Sequence, residues 1–181
     1  SAQVAVTVAQ VAVAPTVLSG NGQSGTIGTA LVMPLQARVE DRLGAPMGAQ
    51  TVNFVVTSGS GSVGTPSSTS GVDGVVSTTW TLGTNTAVPQ LVSVSVSGAS
   101  VFSTFGATAL AGPATTFDFA PTAAGNGQSA PFGTAVLVRP AVRLADALGN
   151  GVAGAAVTFA VTGGGGNVTG GAATTNASGI A

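Results

Sequence analysis

The chain has 181 residues, four Arg and five Asp or Glu, no Lys, His, Cys or Tyr, a formal net charge of −1 and a charged fraction of 5%, against about 25% in ordinary soluble proteins. That inventory excludes a Ser–His or Cys–His catalytic pair, a Lys nucleophile, disulfides, a transition-metal centre built on His or Cys, and a basic stripe for nucleic acid. The length suits one or two domains, and a nearly uncharged surface opposes self-association only weakly, which suits a secreted, cell-surface or polymeric protein.

Taken in order, residues 1–13 alternate apolar with small or polar side chains (Val4, Ala5, Val6, Thr7, Val8), the period of a β-strand. The apolar segment from Val4 to Leu18 is too short for a membrane span and is broken by Gln10 and Pro15. No basic signal-peptide head precedes Ser1, so a removed leader or a longer parent chain is expected. Pro15 to Ala30 reads as loop-rich around the turn Gly20-Asn21-Gly22-Gln23-Ser24. Leu35, Ala37 and Val39 alternate with Gln36, Arg38 and Glu40 as a half-buried antiparallel strand. A turn at Leu43–Gly48 leads to an inward face of Val52, Phe54 and Val56. Residues 58–73, rich in Gly, Ser and Thr, predict one short strand or none. Val76, Trp80 and Leu82 mark the next strand. Val92, Val94 and Val96 face inward between serines, and Val101 to Leu110 closes the series before a joint at Gly112-Pro113.

That is about seven short strands with turn signals between them, the pattern of an antiparallel sandwich of immunoglobulin type. The pattern then returns. Gly20 to Val76 lies over Gly125 to Ala181 without a gap at an offset of 105 residues, and 21 of the 57 positions are identical. Asp41-Arg42-Leu43-Gly44 becomes Asp146-Ala147-Leu148-Gly149, and Val52-Asn53-Phe54-Val55-Val56-Thr57 becomes Val157-Thr158-Phe159-Ala160-Val161-Thr162. A long period without slippage denotes a duplicated domain and not a short solenoid repeat. The expected fold is all-β: tandem immunoglobulin-like antiparallel β-sandwiches, the second copy incomplete in this chain. The expected divisions are an N-terminal strand over 1–13, a first sandwich over 14–111, and a second over 112–181 lacking its last strands. In the same register Ser1 to Val6 lie over Gly106 to Ala111. The N-terminal strand is therefore the closing strand of a preceding repeat, a strand donated to another molecule, or the first strand of its own domain. Nothing in the second copy matches Ser77 to Leu110. A sandwich without those strands exposes an inner face, to be covered by further chain or by strands from a neighbour.

The motifs in order are Gly-Asn-Gly-Gln-Ser, Asp-x-Leu-Gly, Val-x-Phe-x-Val-Thr, Gly-x-Gly-x-Val and Thr79-Trp80-Thr81-Leu82-Gly83. Together they resemble the bacterial immunoglobulin-like group 1 domains that stack in invasin- and intimin-type surface adhesins. The resemblance spans Gly20 to about Leu110 fully and Gly125 to Ala181 in part. It implies an extracellular spacer or adhesive rod and carries over no catalytic residue. The sequence departs from the family in its low charge and in the loops Ser70-Gly71-Val72-Asp73-Gly74 and Thr175-Asn176-Ala177-Ser178-Gly179, where the acid is shifted and then lost.

Each reactive-looking residue has a structural explanation. Glu40 and Asp41, adjacent on a strand, point to opposite faces and do not converge on one bond. Asp41 and Asp146 read as turn-forming acceptors, with a share in a calcium site at a domain joint as the alternative. Arg38 and Arg143 read as outward charges, Gly163 to Gly166 as a hairpin connection and not a phosphate cradle. Asn167-Val168-Thr169 and Asn176-Ala177-Ser178 fit the N-glycosylation pattern. No catalytic, cofactor-binding or metal residue is assigned and no cofactor is expected; the chain is read as not an enzyme.

The expected role is a building block of a bacterial extracellular filament or surface assembly. The expected partners are copies of itself, with strand exchange through residues 1–13, or adjacent immunoglobulin-like domains; no nucleic acid and no membrane span belong to this segment. A stalk of an adhesin is the second reading. A carbohydrate-binding accessory module ranks last, because the single Trp sits at a core position and Tyr is absent.

Overall fold

The computed structural model describes residues 10–119 and 125–181. The regular elements among them are all β-strands, arranged in antiparallel sheets. The chain divides into two compact units. The first runs to Thr84 and resumes over Val88–Ala109; the second holds Asn85–Ala87 and Leu110–Ala181.

The first unit has ten strands: β1 (Thr16–Ser19), β2 (Gln23–Thr26), β3 (Leu35–Arg38), β4 (Thr51–Ser58), β5 (Ser62–Val63), β6 (Ser67–Thr69), β7 (Val75–Thr78), β8 (Trp80–Thr81), β9 (Gln90–Val96) and β10 (Phe102–Leu110). They form a three-stranded sheet in the order β1-β3-β7, a five-stranded sheet in the order β2-β10-β9-β4-β6, and the pair β5-β8. Side chains on a strand alternate between faces, so register decides what is buried. Pairing Phe54 with Val94 and Val52 with Val96 puts four apolar side chains on one face of β4 and β9. Leu35 and Ala37 of β3, and Val39 just beyond it, belong to the same core, as do Trp80, Leu82 and Phe105. The Phe54 and Phe105 rings lie 6.4 Å apart, tilted by 37°, within the range where aromatic pairs attract beyond simple burial.

Two stretches differ from what the sequence predicts, and a third bears on readings it left open. Pro15 to Ala30 holds β1 and β2 on either side of its turn; these four-residue strands are specified by their partners β3 and β10 more than by their own alternation. Residues 58–73 hold two short strands, β5 and β6. In the N-terminal stretch, Ala12 bridges Asp41 and the Val13 N–H donates to the Glu40 carbonyl at 3.0 Å, so residues 10–13 pair within their own chain. The remainder of the expected donor strand, residues 1–9, lies outside the described residues.

One backbone crossing closes the first core. A Cβ on Gly83 would sit 1.4 Å from the Gly59 carbonyl oxygen, and one on Gly59 would sit 2.3 Å from Gln90 Oε1. Gln90 is buried in that gap. Its Oε1 accepts the Gly83 N–H at 2.9 Å and its Nε2 donates to the Val88 carbonyl at 3.1 Å. A buried amide is tolerated because both ends are bonded.

The second unit has four short strands: β11 (Thr116–Phe119), β12 (Val142–Ala145), β13 (Ala156–Thr158) and β14 (Ala172–Thr174). They pair as β11-β12 and β13-β14 and do not assemble into two facing sheets. The sequence repeat is nevertheless a structural one. Ala156 faces Thr174 and Val157 faces Ala173, as Thr51 faces Thr69 and Val52 faces Ser68 in the first unit. Arg143 bridges Ile180 as Arg38 faces Val75. The two non-glycine residues with positive φ in the first unit, Ala49 (59°) and Ser60 (58°), align with Gly154 (76°) and Gly165 (67°). Both turns keep the left-handed geometry, and only the first unit bears its strain.

Two substitutions test this backbone account. Gly83→Ala should destabilise the first unit by about 3 kcal/mol, the upper end of the overpacking range, read as a lower urea midpoint. Ala49→Gly should raise that midpoint, by about 0.5–1 kcal/mol, the left-handed penalty less the extra unfolded-state entropy of glycine.

Candidate functional site

The polar side chains of the two units act mainly on their own backbone. Asp41 Oδ1 accepts the N–H groups of Leu43 at 2.8 Å and Ala45 at 2.9 Å. Asp146 Oδ1 accepts those of Leu148 and Asn150, each at 2.9 Å. These are the turn-forming acceptors that the Asp-x-Leu-Gly motif predicts, with Gly44 and Gly149 supplying φ of 82° and 83°. Their outer oxygens differ. Asp41 Oδ2 meets the Gln10 side-chain amide at 3.2 Å. Asp146 Oδ2 accepts the Gly112 N–H and the Asn150 amide, each at 3.0 Å.

The backbone bonds from Ala45 and Leu43 hold the Asp41 carboxyl below its ordinary range. Burial pushes Asp146 up, but the Asn150 side chain and the N–H groups of Asn150, Gly112 and Leu148 outweigh it, so Asp146 is lowered as well. Glu40 is lowered by the Thr16 hydroxyl and by Arg38. Asp41 is thus bonded into its turn while Glu40 bonds Thr16 and Arg38, and the two do not converge.

The matched arginines are not free surface charges. Arg38 forms an ion pair with Glu40, and Thr16 donates to the other Glu40 oxygen at 2.7 Å. Arg143 instead donates to the carbonyls of Gly149 at 2.7 Å and Ser178 at 3.2 Å, tying two turns together.

Sequence reasoning saw two further devices only as turn signals. Gln23 Nε2 donates to the carbonyls of Gly20 and Met33, and its Oε1 accepts the Met33 N–H at 2.9 Å. Gln128 repeats this on Gly125 and Val138, its Oε1 accepting at 2.7 Å. Ser70 Oγ donates to Met47 and accepts from Gln50; Thr175 Oγ1 does the same with Val152 and Ala155. The recurrence of Gln and of a hydroxyl at the same offset was the available signal. In the loop that departs from the family pattern, Asn176 Oδ1 accepts from Ser178 and Ile180, doing at a shifted position what Asp73 does for Val75.

Asn176 is exposed but engaged in that turn. Trp80 is fully buried. No group of three or more His, Cys, Asp or Glu is gathered among the described residues, and no helix there is long and apolar enough to cross a membrane. What these side chains do chemically is bond to backbone. The other notable surface is apolar: Phe119 and Phe132 of the second unit are exposed.

No family model matches the chain, and no curated protein matches it in sequence. The solved structures it is similar to include two bacterial surface proteins. One is domains 4–9 of the surface layer protein SbsC, with 16% identity and a TM-score of 0.41 over 80% of this chain and 21% of that one. The other is the D0-D1 domain of intimin, with 14% identity and a TM-score of 0.41 over 94% of this chain and 82% of that one. The chain thus spans about a fifth of the surface layer structure.

The lowered carboxyls set a pH dependence. A group whose folded pKa lies below its unfolded value stabilises the fold fully above the unfolded value and loses that contribution as pH falls through the folded one. Stability should therefore be level from neutral pH to about 5 and decline below about 4, the ordinary carboxylate range. Asp146→Asn should cost about 1.5–3 kcal/mol, because an amide nitrogen would face the Gly112 and Asn150 donors. Asp41→Asn should cost less, since the Gln10 amide can turn its oxygen to the new donor. Urea titrations of the two variants at pH 7 and pH 3 check the order.

Proposed function

We propose that the chain is a non-catalytic structural segment of a bacterial extracellular or cell-surface assembly made of stacked immunoglobulin-like domains. In this reading the first sandwich spans 14–111 and the second domain spans 112–181. The observation that supports it most is the duplicated scaffold. The Gln clamp, the Asp turn and the hydroxyl bridge occur twice at one offset, and these polar groups are spent on holding backbone. A repeated module that invests its polar groups in shape supplies length and rigidity. The low charge supports a filament of copies, because little repulsion opposes packing. The sequence motifs support the bacterial surface setting.

The test is assembly of the purified chain. Sedimentation and negative-stain microscopy should show oligomers or fibres that grow with concentration and change little with salt. A chain that stays monomeric at every concentration would replace the filament with the second reading, an adhesin stalk. Turnover of any substrate would end both.

A further inference from the structure

Ser70 and Thr175 spend their hydroxyls on backbone carbonyls, but one face of the first unit does not. Val92, Val94 and Val96 of β9 are buried, so Ser93 and Ser95 between them point out of the five-stranded sheet. The registers carry that outer face across the neighbouring strands. Ser67, Asn53, Ser95 and Phe102 lie in one row, and Val55, Ser93 and Thr104 in the next. Among the described residues, the hydroxyls of Ser67, Ser95 and Thr104 bond to nothing. Val55 and Phe102 stand 52% and 63% exposed on the same face.

The face is also without charge. β2, β10, β9, β4 and β6 contain no Asp, Glu, Lys or Arg. Arg38 and Glu40 lie on β3 of the other sheet and just beyond it, and Asp41, Arg42 and Asp73 lie in connecting turns. The second unit repeats the segregation. β13 and β14, the equivalents of β4 and β6, are uncharged, while Asp118 and Arg143 face each other on β11 and β12.

This composition sorts the partners. A permanent cover within one chain calls for an apolar face, as the inner side of these same strands has; alternate hydroxyls suit a contact that forms and parts in water. A hydroxyl both donates and accepts, so a row of them complements an identical row turned about a two-fold axis. An ionic partner finds nothing to pair with here, and a sugar ring finds a single aromatic platform, Phe102.

We propose that this face is a lateral contact between two copies of the chain, packed sheet against sheet. The inference rests on the reading of the chain as a structural segment and names the surface by which copies meet. Five strands of about six residues, about 4.8 Å apart and rising about 3.4 Å per residue, make a patch of roughly 500 Å². A standard interface takes about 800 Å² from each partner. The single pair is therefore weak and reversible, and it gains strength where several units pair at once.

The chain has no cysteine, so an introduced thiol reports contacts cleanly. Ser93→Cys, on the central strand, should cross-link between copies with a short bis-maleimide, in a yield that rises with concentration. Ser77→Cys, exposed on β7 of the other sheet, should not. In sedimentation, Val55→Lys should weaken self-association about tenfold or more, because it buries a charge without a partner. Ser77→Lys should leave it unchanged. Equal yields at the two thiols, or association untouched by Val55→Lys, overturns the proposal. So does a chain that is monomeric at every concentration. A Ser93→Cys thiol blocked to maleimide in the dilute monomer also overturns it, and assigns the cover to residues of the same chain. Urea midpoints show whether each variant folds; if Val55→Lys does not, the cross-link decides alone. Fibres that persist with Val55→Lys reject this face and keep the filament. Closed dimers cross-linked through Ser93→Cys reject the filament and keep the face.

Discussion

Short polar side chains bonded to backbone hold this fold in register. With nine ionisable residues that carry charge at neutral pH, ion pairs cannot set the geometry of its turns. Asp41 and Asp146, Gln23 and Gln128, and Ser70 and Thr175 do so by occupying N–H and C=O groups that a turn leaves unpaired. Each lock places the strand that follows it. Since a slip of one residue reverses every side chain on a strand, burial of Val52, Phe54, Val92 and Val94 depends on those turns as much as on hydrophobicity.

The parts of the fold that announce themselves by alternation were legible in the sequence. Leu35, Ala37 and Val39 are buried as their spacing predicts, and so are Val92, Val94 and Val96. What alternation does not carry was not legible. β1 and β2 lie in a stretch read as loop-rich, because their identity comes from the strands they pair with. The approach of Gly83 to Gly59 joins two Gly-rich segments far apart in sequence, and nothing local distinguishes those glycines from their neighbours. The Asp turns were readable because Asp-x-Leu-Gly is a local motif. The Gln clamps reach ten residues along the chain and were visible only as a recurrence.

The two copies also separate local from long-range order. The second unit keeps the turn locks and the β13-β14 register without forming two facing sheets. Turn geometry is therefore written in short stretches of sequence, whereas burial of the apolar face needs the distant strands. In the first unit that cover brings Phe105 onto Phe54 and Trp80 beside Val63. The difference in exposure between Ile27 and Phe132 measures what those strands do.

The Arg38–Glu40 pair is the ion pair found among the described residues, and it lies at a partly accessible site. Dissolved ions screen such pairs, at a reach of about 8 Å in physiological solution. With so little to screen, dissolved ions reach this architecture mainly through the apolar core, where excluded salts strengthen burial, and hardly at all through charge.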